Sequence, residues 1–470
     1  MSGLISTLNS SVMALSAHSR AIETTGRNLA NVSNPDYARQ RVVYGDRGTV
    51  LTPQGAQSLG LEVLSVEQLR DDLLDRQLMR EIALGGFSES VQKASARAQA
   101  ALGQDIDGSA ALDATGTAAG GGIAAALDDF FNAFQDFAGR PTDSGARQTL
   151  LQKAAILTDR LQQTDRRLVQ VQSDLDAQIN SDVGGANRLL GTIAELNIQI
   201  SRFEINHPGS AVDLRDQRQA RLEELAEFLP VEVRDNADGQ LQVFTRAADG
   251  TEVALITPPA VTGPVAFDGT TLTAGAPAVA LGTTSGALAG ALVARDGAVQ
   301  TLRNELDLLA RQTVTAVNGA YNPTATAGAD FFAAGGQAAG TIRLETGLTA
   351  ATLRAGTGAA GDNSLALAVS ALATRSFATA GGDFIDGTLG QFYSRTVSGL
   401  GETLASAEAR ADDQTGIRQL IRNQRDAVSG VSLDEEMADL VRYQRAYQAA
   451  SRVFSVVDDL LDTVVNNLGR

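Results

Sequence analysis

The last forty residues of the chain, Val431 to Arg470, constrain it more than any other stretch, because they carry a seven-residue apolar repeat that a lone helix cannot satisfy. Leu433, Leu440, Tyr447, Phe454, Leu461 and Leu468 recur every seven positions. A second row, Tyr443, Ala450, Val457 and Val464, is offset by three, so apolar residues alternate by 3 and 4 along one stripe. Ser432 stands at the N-cap position with Glu435 three residues on, the spacing of a capping box. Asp434 and Glu436 add negative charge to the positive end of the helix dipole. Gly469 supplies a stop. About 36 helical residues reach roughly 54 Å.

Burying each large apolar residue of this seam yields ~2 kcal/mol, whereas ordering its backbone costs ~1–2 kcal/mol per residue before packing offsets it. The segment is therefore marginal alone and needs a partner. The opposite end of the chain offers one. Leu8, Leu15, Ile22 and Leu29 are again spaced by seven, and Ile5 and Val12 fill a second row that thins to Ser19 and Gly26.

Between these ends the first helix is predicted from near Leu4 to Ala30, stopping before Asn31-Val-Ser-Asn-Pro35. ARQRVVYGDRGTV then reads as an extended segment, residues 61–84 as an amphipathic helix on Leu69, Leu73, Leu74 and Leu78, and Gly103 to Gly122 as a flexible connection. From Ile123 to Phe228 the pattern is helical, with Leu150, Ala154, Leu157, Leu161, Thr164, Leu168, Val171 and Leu175 in heptad register. Breaks are expected at Gly139-Arg-Pro141, Gly184-Gly185 and His207-Pro-Gly209, and Phe130, Phe131, Phe134 and Phe137 as core of the bundle.

At Pro230 the period changes to two, with a hairpin signal at Asp238-Gly239. Asp235-x-x-Asp238-Gly239 lacks the remaining ligands of a calcium loop, so it reads as a plain turn. Helix returns at Gly286 to Asn318; residues 322–382, rich in Gly, Ala and Thr, read as loops and short elements over the surface; a last long helix runs from about Gly387 to Val428. The predicted fold class is mainly α with a small β insert. A long helical bundle or coiled coil of paired N- and C-terminal helices closes a helical middle domain. The expected domains are 1–60, 61–229, 230–283, 284–385 and 386–470.

Composition removes several function classes. A formal net charge of −17 with only two lysines, Lys93 and Lys153, argues against nucleic-acid binding, which needs clustered cations. The absence of cysteine leaves no disulfide, thiol nucleophile or thiolate metal site. His18 and His207 are isolated, neither lysine follows a phosphate-loop pattern, and the acidic residues are scattered along polar helix faces. These features point to neither an enzyme nor a cofactor. The N-terminus lacks a cleavable signal pattern, and no run of ~18 apolar residues marks a membrane span.

Asn28-Leu-Ala-Asn31-x-x-x-Pro35-x-Tyr37-x-Arg39-Gln40 resembles the N-terminal signature of the bacterial flagellar rod, hook and hook-associated proteins. Ser429-Gly-Val-Ser-Leu-Asp-Glu-Glu436, followed by Leu440-x-x-Tyr443-Gln-x-Ala-Tyr447-Gln-Ala449, is similar to the C-terminal end of the hook-associated members. Asp213-Leu-Arg-Asp-Gln-Arg218 and Ser285-Gly-Ala-Leu-Ala-Gly290 resemble internal segments of the same family. Where the signature has Gly after Pro35, this chain has Asp36, which a turn of positive φ would tolerate less well.

The resemblance implies a structural subunit at the junction between hook and filament, exported to the flagellum outside the cell without a cleaved signal. It implies partners as well: further copies in a ring, the hook protein, hook-associated protein 3, and an export chaperone on the C-terminal helix. Another axial protein, hook-associated protein 3 or the hook protein itself, is an alternative that the C-terminal motif disfavours. An intracellular coiled-coil scaffold would share the heptads but not the Asn-Leu-Ala-Asn signature.

Overall fold

The computed structural model describes residues 2–52, 55–58, 60–103, 122–236, 238–358 and 361–464. In chain order, helix α1 (Ser2–Ala30) leads to strands β1 (Gln40–Asp46), β2 (Thr49–Thr52), β3 (Gly55–Ser58) and β4 (Leu61–Gln68). Helices α2 (Asp72–Leu102), α3 (Ile123–Gly139), α4 (Ser144–Phe203) and α5 (Val212–Phe228) follow. The β insert comprises β5 (Glu232–Asp235), β6 (Leu241–Arg246), β7 (Glu252–Thr257), β8 (Ala260–Val261), β9 (Ala266–Phe267), β10 (Leu272–Ala274) and β11 (Val279–Ala280). Helix α6 (Ala287–Ala294) passes through one π-helical stretch, Arg295–Val299, into α7 (Gln300–Tyr321); α8 (Ser364–Ser370), α9 (Leu389–Ser429) and α10 (Leu433–Asp462) complete the chain. The protein is mainly α with a small β insert.

Two compact units are formed, one from Met1–Gly86, Asp182–Gly286 and Gln414–Arg470, the other from Phe87–Ser181 and Ala287–Asp413. In the first unit α1 packs along α10. The two run antiparallel, since Asn28 at the end of α1 bonds Glu436 at the start of α10. Strands β1 and β4 pair antiparallel from Gln40↔Gln68 to Asp46↔Leu61, with an irregularity at Val43/Tyr44, and lie against α1. Small buried residues of α1, Ala17, Ala21, Thr24 and Thr25, permit close approach of its neighbours. The insert is a four-stranded antiparallel sheet, β5-β6-β7-β8, and a three-stranded one, β11-β10-β9.

The second unit holds a continuous apolar core. Phe130, Phe131, Phe134 and Phe137 of α3 are all buried in it, with the heptad leucines of α4 and Leu302, Leu306 and Leu309 of α7.

Three expectations need correction. Residues 61–68 are strand, not the start of a helix: Val63 and Val66 suit a pleated surface, and β1, the partner that decides the matter, lies more than a dozen residues upstream. The helix begins later, where Asp71 Oδ1 accepts the amide hydrogens of Leu73 and Leu74. The Gly184-Gly185 pair does not break α4, which stays helical; a side chain at Gly185 would press on the Phe228 ring, so close packing explains at least this glycine. Residues 322–382 are not only surface loops, because Phe331, Phe332, Ile342 and Leu353 are buried in the second core. The Asp36 turn needs no positive φ, since Ala325 is the one non-glycine residue with positive φ among the described residues. The linker 104–121, Leu468 and Gly469 lie outside the described residues.

Candidate functional site

The signature residues at one end of the chain and the acidic run at the other meet in the first unit. Helix α1 ends at Ala30, where Asn31 Nδ2 donates to the Arg27 carbonyl at 3.0 Å, and the chain turns through Pro35 into β1. Asn28, 1% exposed, faces inward from the last turn. Its Nδ2 donates to the Gln40 carbonyl and to Glu436 Oε2, both at 2.9 Å, while its Oδ1 accepts Gln40 N–H at 3.0 Å and the Tyr37 hydroxyl at 2.8 Å. One amide thus fills its full hydrogen-bonding capacity between helix, turn, strand and the far end of the chain.

Arg39 forms the other half of this lock. Its Nε donates to Glu436 Oε1 at 2.7 Å and its Nη1 to Glu435 Oε2 at 2.6 Å, with Asp439 at 4.0 Å from Nη2. Its backbone N–H donates to the Ser429 carbonyl and its carbonyl accepts Leu69 N–H, both at 2.8 Å. Glu436 is 2% exposed, and its two carboxylate oxygens are taken up by Arg39 and Asn28. Burial works against the Arg39 charge, but the bonds to Glu435 and Glu436 prevail and hold its pKa above the usual value.

The acidic run is therefore used differently from the capping box read in the sequence. Ser432 is the N-cap of α10 in extended conformation, yet its side chain makes no cap bond, and Glu435 reaches across to Arg39.

A second layer supports the first. Arg70 bonds Asp216 Oδ1 at 2.6 Å and Asp75 at 3.1 Å, and Asp216 Oδ2 accepts Ala38 N–H at 3.4 Å. Arg425 of α9 bonds Glu223 at 2.6 Å and the Pro35 carbonyl at 3.4 Å; Gln40 Nε2 bonds Asp213 at 2.8 Å. Burial pushes the Asp216 carboxyl up to about 6 against the pull of Arg70, and raises Glu223 against Arg425. Tyr37 is raised by burial and by the carboxylates of Asp213 and Asp216. Arg70, Asp75, Glu223 and Arg425 carry no motif and sit among many solvated charges in the sequence. Only the internal Asp213–Arg218 segment hinted at this layer.

The heptad residues divide by exposure. Leu8, Leu15, Ile22 and Leu29 of α1 are half-buried, as are Leu440, Tyr443, Phe454 and Leu461 of α10, and Val457 is buried. Ile5, Val12, Leu433 and Tyr447 are exposed, at 49%, 44%, 53% and 40%. The more buried second row of α1 is Ser11, His18 and Thr25, shifted by one from Ile5 and Val12.

Comparison with known proteins finds flagellar relatives. A model described as the helical domain of the flagellar hook-associated protein FlgK matches residues 110–332, and one described as the C-terminal part of the flagellar basal body rod FlgEFG proteins matches 422–468. Flagellar hook-associated protein 1 of Bacillus subtilis is 25% identical, over 97% of this chain and 97% of the relative. The chain is similar to flagellar hook-associated protein 1 along nearly its whole length.

The Salmonella typhimurium member is 24% identical over 98% of this chain and 99% of its own. Among solved structures, the flagellar hook junction protein FlgK from Burkholderia pseudomallei aligns at 23% identity and a TM-score of 0.45, over 55% of this chain and 46% of that one. The rod-protein match holds Arg425, Ser429, Glu435 and Glu436, whereas Asn28 to Gln40 lies outside both matched segments. The lock therefore joins a segment similar to the C-terminal part of the rod proteins with one that neither model matches.

Proposed function

We propose that the chain is a structural, non-catalytic subunit of the flagellum at the junction of hook and filament, built into a homo-oligomeric ring through its terminal helices. On this reading it contacts the hook protein and hook-associated protein 3, is guarded by an export chaperone on α10, and leaves the cell without a cleaved signal. The likeness to flagellar hook-associated protein 1 along the chain supports the setting. The observation that carries the assembly role is the apolar surface left on the paired ends: besides Ile5, Val12, Leu433 and Tyr447, the α10 residues Met437, Val441, Val453, Val456 and Leu460 are 42–58% exposed. A helix pair that buries one stripe and shows another is suited to stacking against copies of itself. Among the described residues no helix is long and apolar enough to cross a membrane.

Placing a charge in the seam tests this. Leu440→Asp or Phe454→Asp should leave the second unit folded, by circular dichroism and thermal melting, yet abolish motility when it replaces the natural protein. A motile strain carrying either change overturns the assembly seam.

A further inference from the structure

Beside the lock, the four-stranded sheet faces the start of α5 and of α2 across a cleft of about 370 Å³. Arg70, Arg76, Arg215 and Arg218 line it, with Asp72 and Asp235 among the acidic residues. Arg70 is bound to Asp216 and Asp75, and Arg215 to Glu204 through two bonds of 2.8 Å. Arg218 differs. It is 4% exposed, and its Nη1 donates to Asn197 Oδ1 and to the Gly239 carbonyl, both at 2.8 Å.

Both acceptors are neutral. Among the described residues no carboxylate stands within ion-pair distance of Arg218, and no acceptor is recorded for its Nε or Nη2. Asn197 is already committed, accepting Leu241 N–H at 3.1 Å and donating to its carbonyl at 2.8 Å. A buried guanidinium with only neutral hydrogen-bond partners is costly, and here burial, with Arg215 nearby, pulls its pKa down to about 10 against the more distant carboxylates of Asp235 and Glu204.

We infer that this cleft is an anion site in which a carboxylate is held on the Nε–Nη2 edge of Arg218. Nη1 fixes the plane of the fork through Asn197 and Gly239, and the opposite edge offers two parallel donors at carboxylate spacing. Arg76 adds a second cation in the lining. Asp72 and Asp235 set the class of ligand: a planar monoanion offsets the buried charge, whereas a dianion such as sulfate meets their repulsion. The carboxylate comes either from a free small acid or from an acidic side chain of a second copy.

The test uses the full chain with arginine side chains labelled for NMR, titrated with sodium acetate against sodium chloride at matched ionic strength. The Arg218 Nε–H resonance should shift and saturate with a dissociation constant of order 1 mM, should respond several-fold more weakly to sulfate, and should not move with chloride. Hydrogen exchange over 238–241 should slow with acetate in the natural chain and not in Arg218→Lys, which keeps the charge but loses the fork. An Arg218 signal that ignores acetate, or follows chloride equally, overturns the site. Repeating the exchange measurement on assembled protein separates the sources: a turn already protected and indifferent to acetate identifies a neighbour's side chain, and continued acetate response identifies a free acid.

Discussion

The core of the second unit and the paired chain ends of the first solve the same problem by opposite means. Around Phe331, the rings of Phe130, Phe134, Phe332 and Tyr321 are 0–1% exposed and meet at centroid distances of 5.1–5.7 Å, several edge to face. In α10, by contrast, Glu436 and Val457 are the buried residues. The first region is held by apolar area that specifies little about its neighbours. The second has few fully buried apolar residues and is tied at one end by one amide, one guanidinium and two carboxylates. Polar contacts of this kind add modest net stability but penalise every other register, because each misplacement strands a buried charge.

The contrast breaks first at Phe331. Phe331→Ala removes a ring with neighbours on several sides and should cost about 3–5 kcal/mol, read as a lowered urea midpoint of the second unit. Exchange in α1 and α10 should stay near its original rate. If both regions loosen together, the cores are coupled and the comparison fails.

The next largest effect belongs to Arg39. Arg39→Met leaves Glu436 buried with Asn28 as its remaining partner and should cost about 2–3 kcal/mol, a roughly 30- to 150-fold rise in amide exchange along α1 and α10. The Phe-rich core should not respond. Unchanged exchange at the termini would mean that apolar packing alone sets the register of the pair.

How much of this could be read from the chain follows the same division. The Phe130–Phe137 cluster and the α4 heptads were legible because helical core is written locally, in residues three and four apart. Phe331 and Phe332 were not: they sit in a stretch of Gly, Ala and Thr with no period, and are anchored by α3 and α7. In the lock, family resemblance marked Asn28, Tyr37, Arg39 and the Ser429–Glu436 run. Their pairing across some four hundred residues has no local signal, and local rules had assigned Glu435 to a capping box. Arg70 and Arg425 were invisible for the same reason, since nothing near them in sequence distinguishes a buried arginine from a solvated one.

The smallest expected effect sharpens the comparison by its sign. A surface ion pair gives a carboxylate a lowered pKa, and the cost of removing it then grows as pH rises. Asp216 is the opposite case: burial outweighs Arg70 and raises its pKa from the ordinary carboxylate value to about 6. Between about pH 4 and 6 the folded chain therefore holds a proton on Asp216 that the unfolded chain has released. The stability that this contributes is full below about pH 4 and is lost as pH rises through about 6. Asp216→Asn keeps the shape without the titration, so its cost should shrink between pH 4 and pH 7, measured as the difference in urea midpoints at each pH. A cost that grows over that window would show that Arg70 governs the carboxylate, and would make the second layer of the lock an ordinary ion pair instead of a charge tolerated for register.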